Sequence, residues 1–417
     1  MNAETIKYSG HFWFQPKDSP LTNEILGFLY REMDGTPIIE VLERPEFGNL
    51  LKEHYDVVWG KVGSVNITFF DVKLIQFSEL SSIKYSVKHT VKGMEISSIK
   101  EKCFNGCQIK FPNFINWISD ISSISLENNE ESIVIKDNDS VHASIMKTVL
   151  PDVNLHISFD KSISRTSSSL TYSKDCYIKC LSAEKQSVDY FVKLTFEISR
   201  FFSFAMFGKR KCCSLELLLE TKVPNYYQVW FPLEQDTSPR HNHLISYQCV
   251  KDSLPLMLQQ WHTHYNKLIP MVNQLLYPLS FVDFDYIDFL RFAHALEGLH
   301  TRFAGNIFDA KNTYKERIKN LIDHLKNYKV IEECKIDACL VAKTRNKYTH
   351  LGKNDVEDDI PKEKLYLLTL KCKVLLASSI LLVLGLSEQE IENCTHDSEL
   401  KNIVNYICVK ENREIRF

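Results

Sequence analysis

The string Arg345-Asn346-Lys347-Tyr348-Thr349-His350 gathers residue types that metal-free cleavage of a ribose phosphodiester requires. In that reaction the 2′-hydroxyl attacks the adjacent phosphorus and a base takes its proton. An acid protonates the leaving 5′-oxygen, and a fixed cation stabilises the developing charge. An imidazole suits the proton transfers, because its reference pKa of about 6.5 leaves both forms accessible near neutrality. On a helix Asn346 and His350 stand four residues apart and share a face. Arg345 then lies roughly 140° round from His350 at 3.6 residues per turn. Gly352 follows, which predicts that the helix ends there and that His350 projects from a frayed last turn. Lys343, Lys347 and Lys353 add positive charge around it. A second reading stays open: Arg and His near a helix C-terminus also offset the macrodipole and need no substrate. Arg-x₄-His by itself is a short, common match. It gains specificity from the Asn directly after the Arg and from its late position in a long bundle helix.

The elements that must position this string differ between two parts of the chain. Residues 1–235 are mainly aromatic and β-branched stretches separated by Asn, Asp, Ser and Gly, which predicts strands. Ile6 to Phe14, Ile25 to Tyr30, Val65 to Leu74, Ser132 to Ile135, Val153 to Phe159, Ser214 to Leu219 and Tyr226 to Phe231 are the candidates. Ser187 to Phe207 interrupts them with apolar residues at helical spacing, as in a helix laid on a sheet. A polar stretch beginning at Gln235 marks a linker over 236–250. From 251 to 417 helical periodicity dominates, with helices predicted over Pro255–Leu276, Phe284–Phe303, Asp309–Asn327, Ile331–His350 and Lys362–Leu386, and shorter ones to Ile407. Short links between amphipathic helices favour an antiparallel bundle. The expected fold class is therefore α+β: a β-rich N-terminal domain (a sandwich or an open sheet with a covering helix) before an all-α bundle.

Composition narrows the function classes. With 417 residues there is room for two or three domains. Fifty basic against 53 acidic residues leave a net charge of −3, so no global field marks a nucleic-acid binder, although local patches can still steer one. The N-terminus lacks a basic region followed by an apolar stretch and a small-residue cleavage site, so no secretory leader is expected. The longest apolar run, Val374 to Leu386, is shorter than the roughly 20 residues a membrane-spanning helix needs, and predicts a buried bundle helix instead. Twelve cysteines are too dilute for a disulfide scaffold, which favours a cytoplasmic protein with reduced thiols.

Three features together resemble a known family. A late bundle helix carrying Arg345-Asn346-x₃-His350 resembles the HEPN superfamily. The earlier string Ala295-Leu296-Glu297-Gly298-Leu299-His300 is similar to the first-helix pattern of its Apea-like group. The aromatic strand Gly10-His11-Phe12-Trp13-Phe14 heading a long β-rich domain resembles ApeA-type antiphage proteins. That resemblance implies a metal-independent, cofactor-free endoribonuclease, commonly dimeric, with motifs of two protomers facing across a cleft. Carried onto this sequence, it makes His350 the general acid/base and Arg345 the phosphate clamp. Asn346 orients the imidazole or the scissile phosphate, Glu297 pairs with Arg345 to hold its fork, and Lys347 supports the positive field. An RNA substrate follows, tRNA on analogy with abortive infection, as do a homodimer or higher homo-oligomer, a phage-derived trigger sensed by the β-rich domain, and no membrane. Two rivals remain: a non-catalytic dimerisation or partner-binding module, and a protein that binds RNA without cutting it.

Other signals carry less. Cys103-x₃-Cys107 is half a zinc site, and a four-ligand site with Cys176 and Cys180 has weak spacing. His294 and His300, on the helix of Glu297, can line a cleft, but a structural histidine is the commoner case. No GxxxxGK[ST], GxSxG or HExxH string occurs, which leaves out those ATPase, hydrolase and zinc-protease chemistries.

Overall fold

A computed structural model describes residues 6–14, 24–33, 35–42, 52–77, 82–111, 114–118, 124–129, 132–137, 148–150, 152–165, 170–208, 214–221, 225–230, 243–349, 360–396 and 398–414. His350, Gly352 and Lys353 of the sequence motif lie outside them, as do residues 236–242 of the expected linker. Two compact units emerge. The first comprises Met1–Ile115, His142–Ser199 and Arg210–Ser238; the second comprises Asn116–Val141, Arg200–Lys209 and Pro239–Phe417.

The first unit is built on antiparallel strands: β1 (Tyr8–Trp13), β2 (Ile25–Arg31), β3 (Pro37–Val41), β4 (His54–Val62), β5 (Val65–Gln76), β6 (Ile83–Lys92) and β7 (Phe104–Lys110). In the order β6-β3-β2-β1-β4-β5, with β5 pairing back onto β6, six strands close into a barrel. Closure removes the exposed edges an open sheet would leave. Alternation drives it: β6 turns Ile83, Tyr85 and Val87 inward at every second residue, and Phe12, Ile39, Val58, Phe69 and Val72 meet in the interior. Gly60 is required there, since a Cβ would stand 2.8 Å from the Phe69 ring and 3.0 Å from that of Phe12. Gly63, at φ +60, makes the two-residue turn that pairs Val62 with Val65.

The remaining strands of this sheet extend from β6 rather than closing. They include β10 (Thr148–Leu150), β11 (Val153–Arg165), β12 (Leu170–Gln186), β13 (Ser214–Leu219) and β14 (Asn225–Trp230), in the order β10-β11-β12-β7-β13-β14-β6. A separate hairpin joins β8 (Ile124–Asn129) and β9 (Ser132–Asp137). The α+β class thus holds, with a definite topology for the β-rich part: a closed barrel continued by an open arm. The expected strands omit β3, β4, β6, β7, β8 and β10; in β4 and β6 the buried residues alternate with Asp, Lys and Ser, and only pairing with neighbours buries them.

Of the helices, α1 (Phe114–Trp117) is a single turn, and α2 (Val188–Ala205) forms within the helix predicted over Ser187 to Phe207. In the first unit α2 starts where the Asp189 amide donates to the Ile99 carbonyl (3.2 Å), and it buries Val188, Phe191, Leu194 and Ile198. Its last residues, from Arg200, cluster in the second unit, where Phe201 and Phe204 pack on Trp261.

Apart from the β8–β9 hairpin, the second unit is helical: α3 (Tyr247–Val250), α4 (Leu254–Leu275), α5 (Tyr286–Phe303), α6 (Tyr314–His324), α7 (Lys329–Cys334), α8 (Ala338–Thr349), α9 (Lys362–Val383), α10 (Glu388–Thr395) and α11 (Glu399–Glu414). α9 is its core. By length and composition α9 is apolar enough to cross a membrane, but 89% of its most apolar window is buried inside the protein. Its lysines are accommodated locally: Lys371 pairs with Glu411 at 2.6 Å, and Lys373 lies 4.9 Å from the Phe207 ring centroid.

Two predicted helices are corrected. The span expected over 331–350 is broken, because Lys335 adopts a left-handed conformation (φ 45) and ends α7. Asp337 then restarts the chain, its carboxylate accepting from the amides of Cys339 (2.7 Å) and Leu340 (3.2 Å). The helix expected from Asp309 begins at Tyr314 instead, after a capping box between Thr313 and Glu316.

Candidate active site

Three helices converge on one carboxylate. α5 buries Phe289, Phe292, Leu296, Leu299 and Phe303, which leaves Glu297 on its partly exposed flank. α6 carries Tyr314 and, one turn on, Arg317. α8 carries Arg345 and buries Val341, Thr344 and Tyr348. Tyr348 is held by ring stacking on Tyr286, with centroids 5.2 Å apart and planes at 15°.

Glu297 divides its two oxygens. Oε1 accepts from Nη1 of Arg317 at 2.8 Å, and Oε2 from Nη2 of Arg345 at 3.1 Å. The side chains of Glu297, Arg317 and Arg345 are 26%, 24% and 21% exposed, so the cluster lies at the rim of the bundle rather than in its core. The Arg345 guanidinium also lies 5.1 Å from the centroid of the Tyr314 ring. Tyr314 is fixed in turn, its hydroxyl donating to the Ala293 carbonyl at 3.0 Å, one turn before Glu297 on α5. Burial, with smaller contributions from Cys372 and Glu297, pushes the Tyr314 phenol above its ordinary range and keeps it a donor.

The donors of Arg345 are unevenly used. Nη2 meets Glu297, Nη1 meets the Asn346 Oδ1 at 3.2 Å, and Nε is buried with no hydrogen-bond partner among the described residues. Asn346 is exposed beside it, and Lys347 is partly buried with interactions of its own. Two guanidinium groups around one carboxylate leave a net positive charge, with an orphaned donor inside it. Such an arrangement can hold an anion of phosphate type.

The structure thus brings Arg345, Asn346 and Glu297 together and places Lys347 on the same helix, while His350 lies one residue past the last described residue of α8. Sequence reasoning missed Arg317. Its signal was faint: the Thr313-x-x-Glu316 capping box fixes where α6 starts, but only the meeting of α5 and α6 shows that Arg317 faces Glu297. His294 is exposed. His300 is 1% exposed, stacked on Phe308 and 3.2 Å from the Asn320 Oδ1; burial first of all lowers its pKa, so it serves as a neutral core residue. The cysteines first considered for a metal lie in the β unit. Cys107 and Cys180 are cross-strand neighbours of β7 and β12, and no group of three or more His, Cys, Asp or Glu suited to a metal ion is gathered among the described residues.

Comparison with known families decides the relationship. A family model described as ApeA N-terminal domain 1 matches residues 7–261, more than half of the chain. The chain belongs to the ApeA family. A second model, Apea-like HEPN, matches residues 290–390. That span takes in Glu297, Arg317 and Arg345 and continues past His350. Domain content of this kind is that of an antiphage defence nuclease, and HEPN domains are generally ribonuclease-like. Comparison with curated proteins and with solved structures gave no match.

Proposed function

We propose that this ApeA-family chain is a metal-independent endoribonuclease of abortive-infection defence, which cleaves RNA by attack of the 2′-hydroxyl on the adjacent phosphorus. The observation that carries this reading is the Arg345 guanidinium. It is oriented by Glu297, retains an Nε without a partner among the described residues, and stands five residues before His350 in the HEPN-matched segment. Arg345 clamps the scissile phosphate and offsets its developing charge. His350 acts as general base toward the 2′-hydroxyl and as general acid toward the 5′-oxygen. Asn346 orients the imidazole or the phosphate, and Lys347 adds to the cationic field. Because one Arg and one His make a sparse site, a homodimer or higher homo-oligomer supplies a second set. The β-rich part restrains the nuclease until a phage product engages it. The working location is the cytoplasm, and tRNA is the substrate favoured by the abortive-infection reading.

Purified protein incubated with total RNA in excess EDTA tests this. New ends carrying 2′,3′-cyclic phosphate or 3′-phosphate are expected, with roughly 10²-fold or greater loss in Arg345→Ala and His350→Ala. A wild type that stays inert even when extract of phage-infected cells is added as the source of trigger, or equal cleavage by His350→Ala, overturns the reading. Sedimentation of the active protein as a 48.5 kDa monomer would remove the composite cleft.

A second reading rests on the same ion pair. Glu297 and Asn346 already engage Arg345, as they would if it only tied α8 to α5 in a non-catalytic module. Unchanged phage protection with alanine at both 345 and 350 would establish that alternative.

A further inference from the structure

We propose that Arg317 is a positioning residue for this site: it fixes the carboxylate of Glu297 so that Glu297 in turn fixes the Arg345 guanidinium. The proposal rests on the ribonuclease reading and deepens it, since Arg317 lies outside the Arg345–His350 motif and the Ala295–His300 string. The two arginines use their donors in opposite ways. Arg317 spends its donors on the protein, with Nε on the Lys311 carbonyl (3.1 Å), Nη2 on the Asn312 carbonyl (3.4 Å) and Nη1 on Glu297 (2.8 Å). A guanidinium so engaged has little left for a substrate. Arg345 keeps a buried Nε without a partner among the described residues, and an unsatisfied buried donor is costly unless a ligand accepts from it. The first arginine is arranged to hold and the second to bind.

Why Glu297 needs a holder follows from its own torsions. The terminal torsion of a glutamate is broad and nearly two-fold, so a carboxylate with one partner swings and can offer either oxygen. Arg317 occupies Oε1, which leaves Oε2 for Arg345 and fixes the direction from which that contact is made. Arg317 is itself anchored because α6 is pinned at its start by the Thr313–Glu316 capping box and by the Tyr314 hydroxyl on α5. Charge points the same way. With one arginine the carboxylate would neutralise it; with two, a positive charge remains to meet a phosphodiester.

The test is a double-mutant cycle on RNA cleavage by the full chain. Wild type and Arg345→Ala are measured first. If wild type does not cut even with extract of phage-infected cells added, or Arg345→Ala cuts equally, the ribonuclease reading fails and takes this proposal with it, before Arg317 has been touched. Given cleavage, Arg317→Met is expected to lose roughly 10- to 100-fold in kcat, the scale of a displaced catalytic group, with KM changed less than about threefold. Added to Glu297→Gln, the same change is expected to cost little more, because its effect runs through that carboxylate. Arg317→Lys keeps the ion pair but not the fork and is expected to fall between, and it takes the place of Arg317→Met in the cycle if the methionine variant does not fold. Wild-type kcat in Arg317→Met or in Arg317→Lys, or losses that multiply in the double variant as those of independent structural damage do, would overturn the proposal.

Discussion

Asp71 in the barrel and Glu297 in the helical unit are carboxylates of nearly equal exposure, 25% and 26%, and each gathers more than one cation. Asp71 faces His54 at 2.8 Å, Lys88 at 3.2 Å and Lys73 at 3.5 Å, from a left-handed backbone position (φ 54) that Asp tolerates better than most residues. Its lysines are 61% and 63% exposed, compact charges on flexible stems in water. Glu297 faces two planar forks that are 24% and 21% exposed. What separates the two sites is therefore the partners, not the acid. Strands in a barrel wall carry long side chains outward, where solvent screens them. Three crossing helices turn theirs toward a shared rim, where geometry is retained.

The most demanding test of this contrast is pH, because each unit also buries a histidine. His89 in the barrel is pushed down to about 4, first by burial and then by Lys88, while Asp71 and Asp189 act against the shift. His300 is lowered as well, chiefly by burial. A folded-state pKa below the unfolded 6.5 means that the unfolded chain binds the extra proton between the two values. Stability is therefore fully present above 6.5 and is lost as pH falls toward 4, at up to about 1.4 kcal/mol per pH unit and about 3 kcal/mol in all for His89. Hydrogen exchange across pH 7 to 4 should show strands β5 and β6 losing protection. His89→Gln should flatten that dependence, and an unchanged slope would contradict it.

A smaller effect separates the carboxylates directly. Glu297→Gln should destabilise by about 1–3 kcal/mol in urea, since it strips a charged acceptor from two arginines held at the rim. Least of all is expected from Asp71→Asn, within about 1 kcal/mol, because its lysines are largely in water and Asn keeps the backbone preference. Equal losses at the two positions would erase the distinction between them. Raising salt should reduce the Asp71 effect more than the Glu297 effect.

How much of this was legible beforehand depends on the reach of the signal. Helix periods over α4 and α5 were readable because one apolar stripe repeats for five turns or so, and α9 was readable as a long run that is apolar all round. The capping residues Thr313 and Asp337 were also present in the sequence, yet the long periodic pattern around them masked both breaks. Barrel closure was not readable. Strand β6 holds β5 along one edge, and β3 and then β14 along the other, a pairing that depends on residues far apart in sequence. The same limit applied to the site. Arg345 and Asn346 stand in one short motif, and Glu297 came from a family pattern, whereas Arg317 belongs to neither.

The sequence by itself determined the residue types, their spacing along each helix, and hence which side chains share a helical face. Those properties are local, set within a few turns by hydrogen bonding and side-chain periodicity. Only the tertiary structure decided that α5, α6 and α8 meet at Glu297, and that one arginine is spent on loop carbonyls while the other keeps a buried Nε without a partner among the described residues. Such outcomes depend on which faces bury each other. Burial is a property of the assembled chain, fixed by the sum of many weak, non-directional contacts rather than by any one residue's neighbours in sequence.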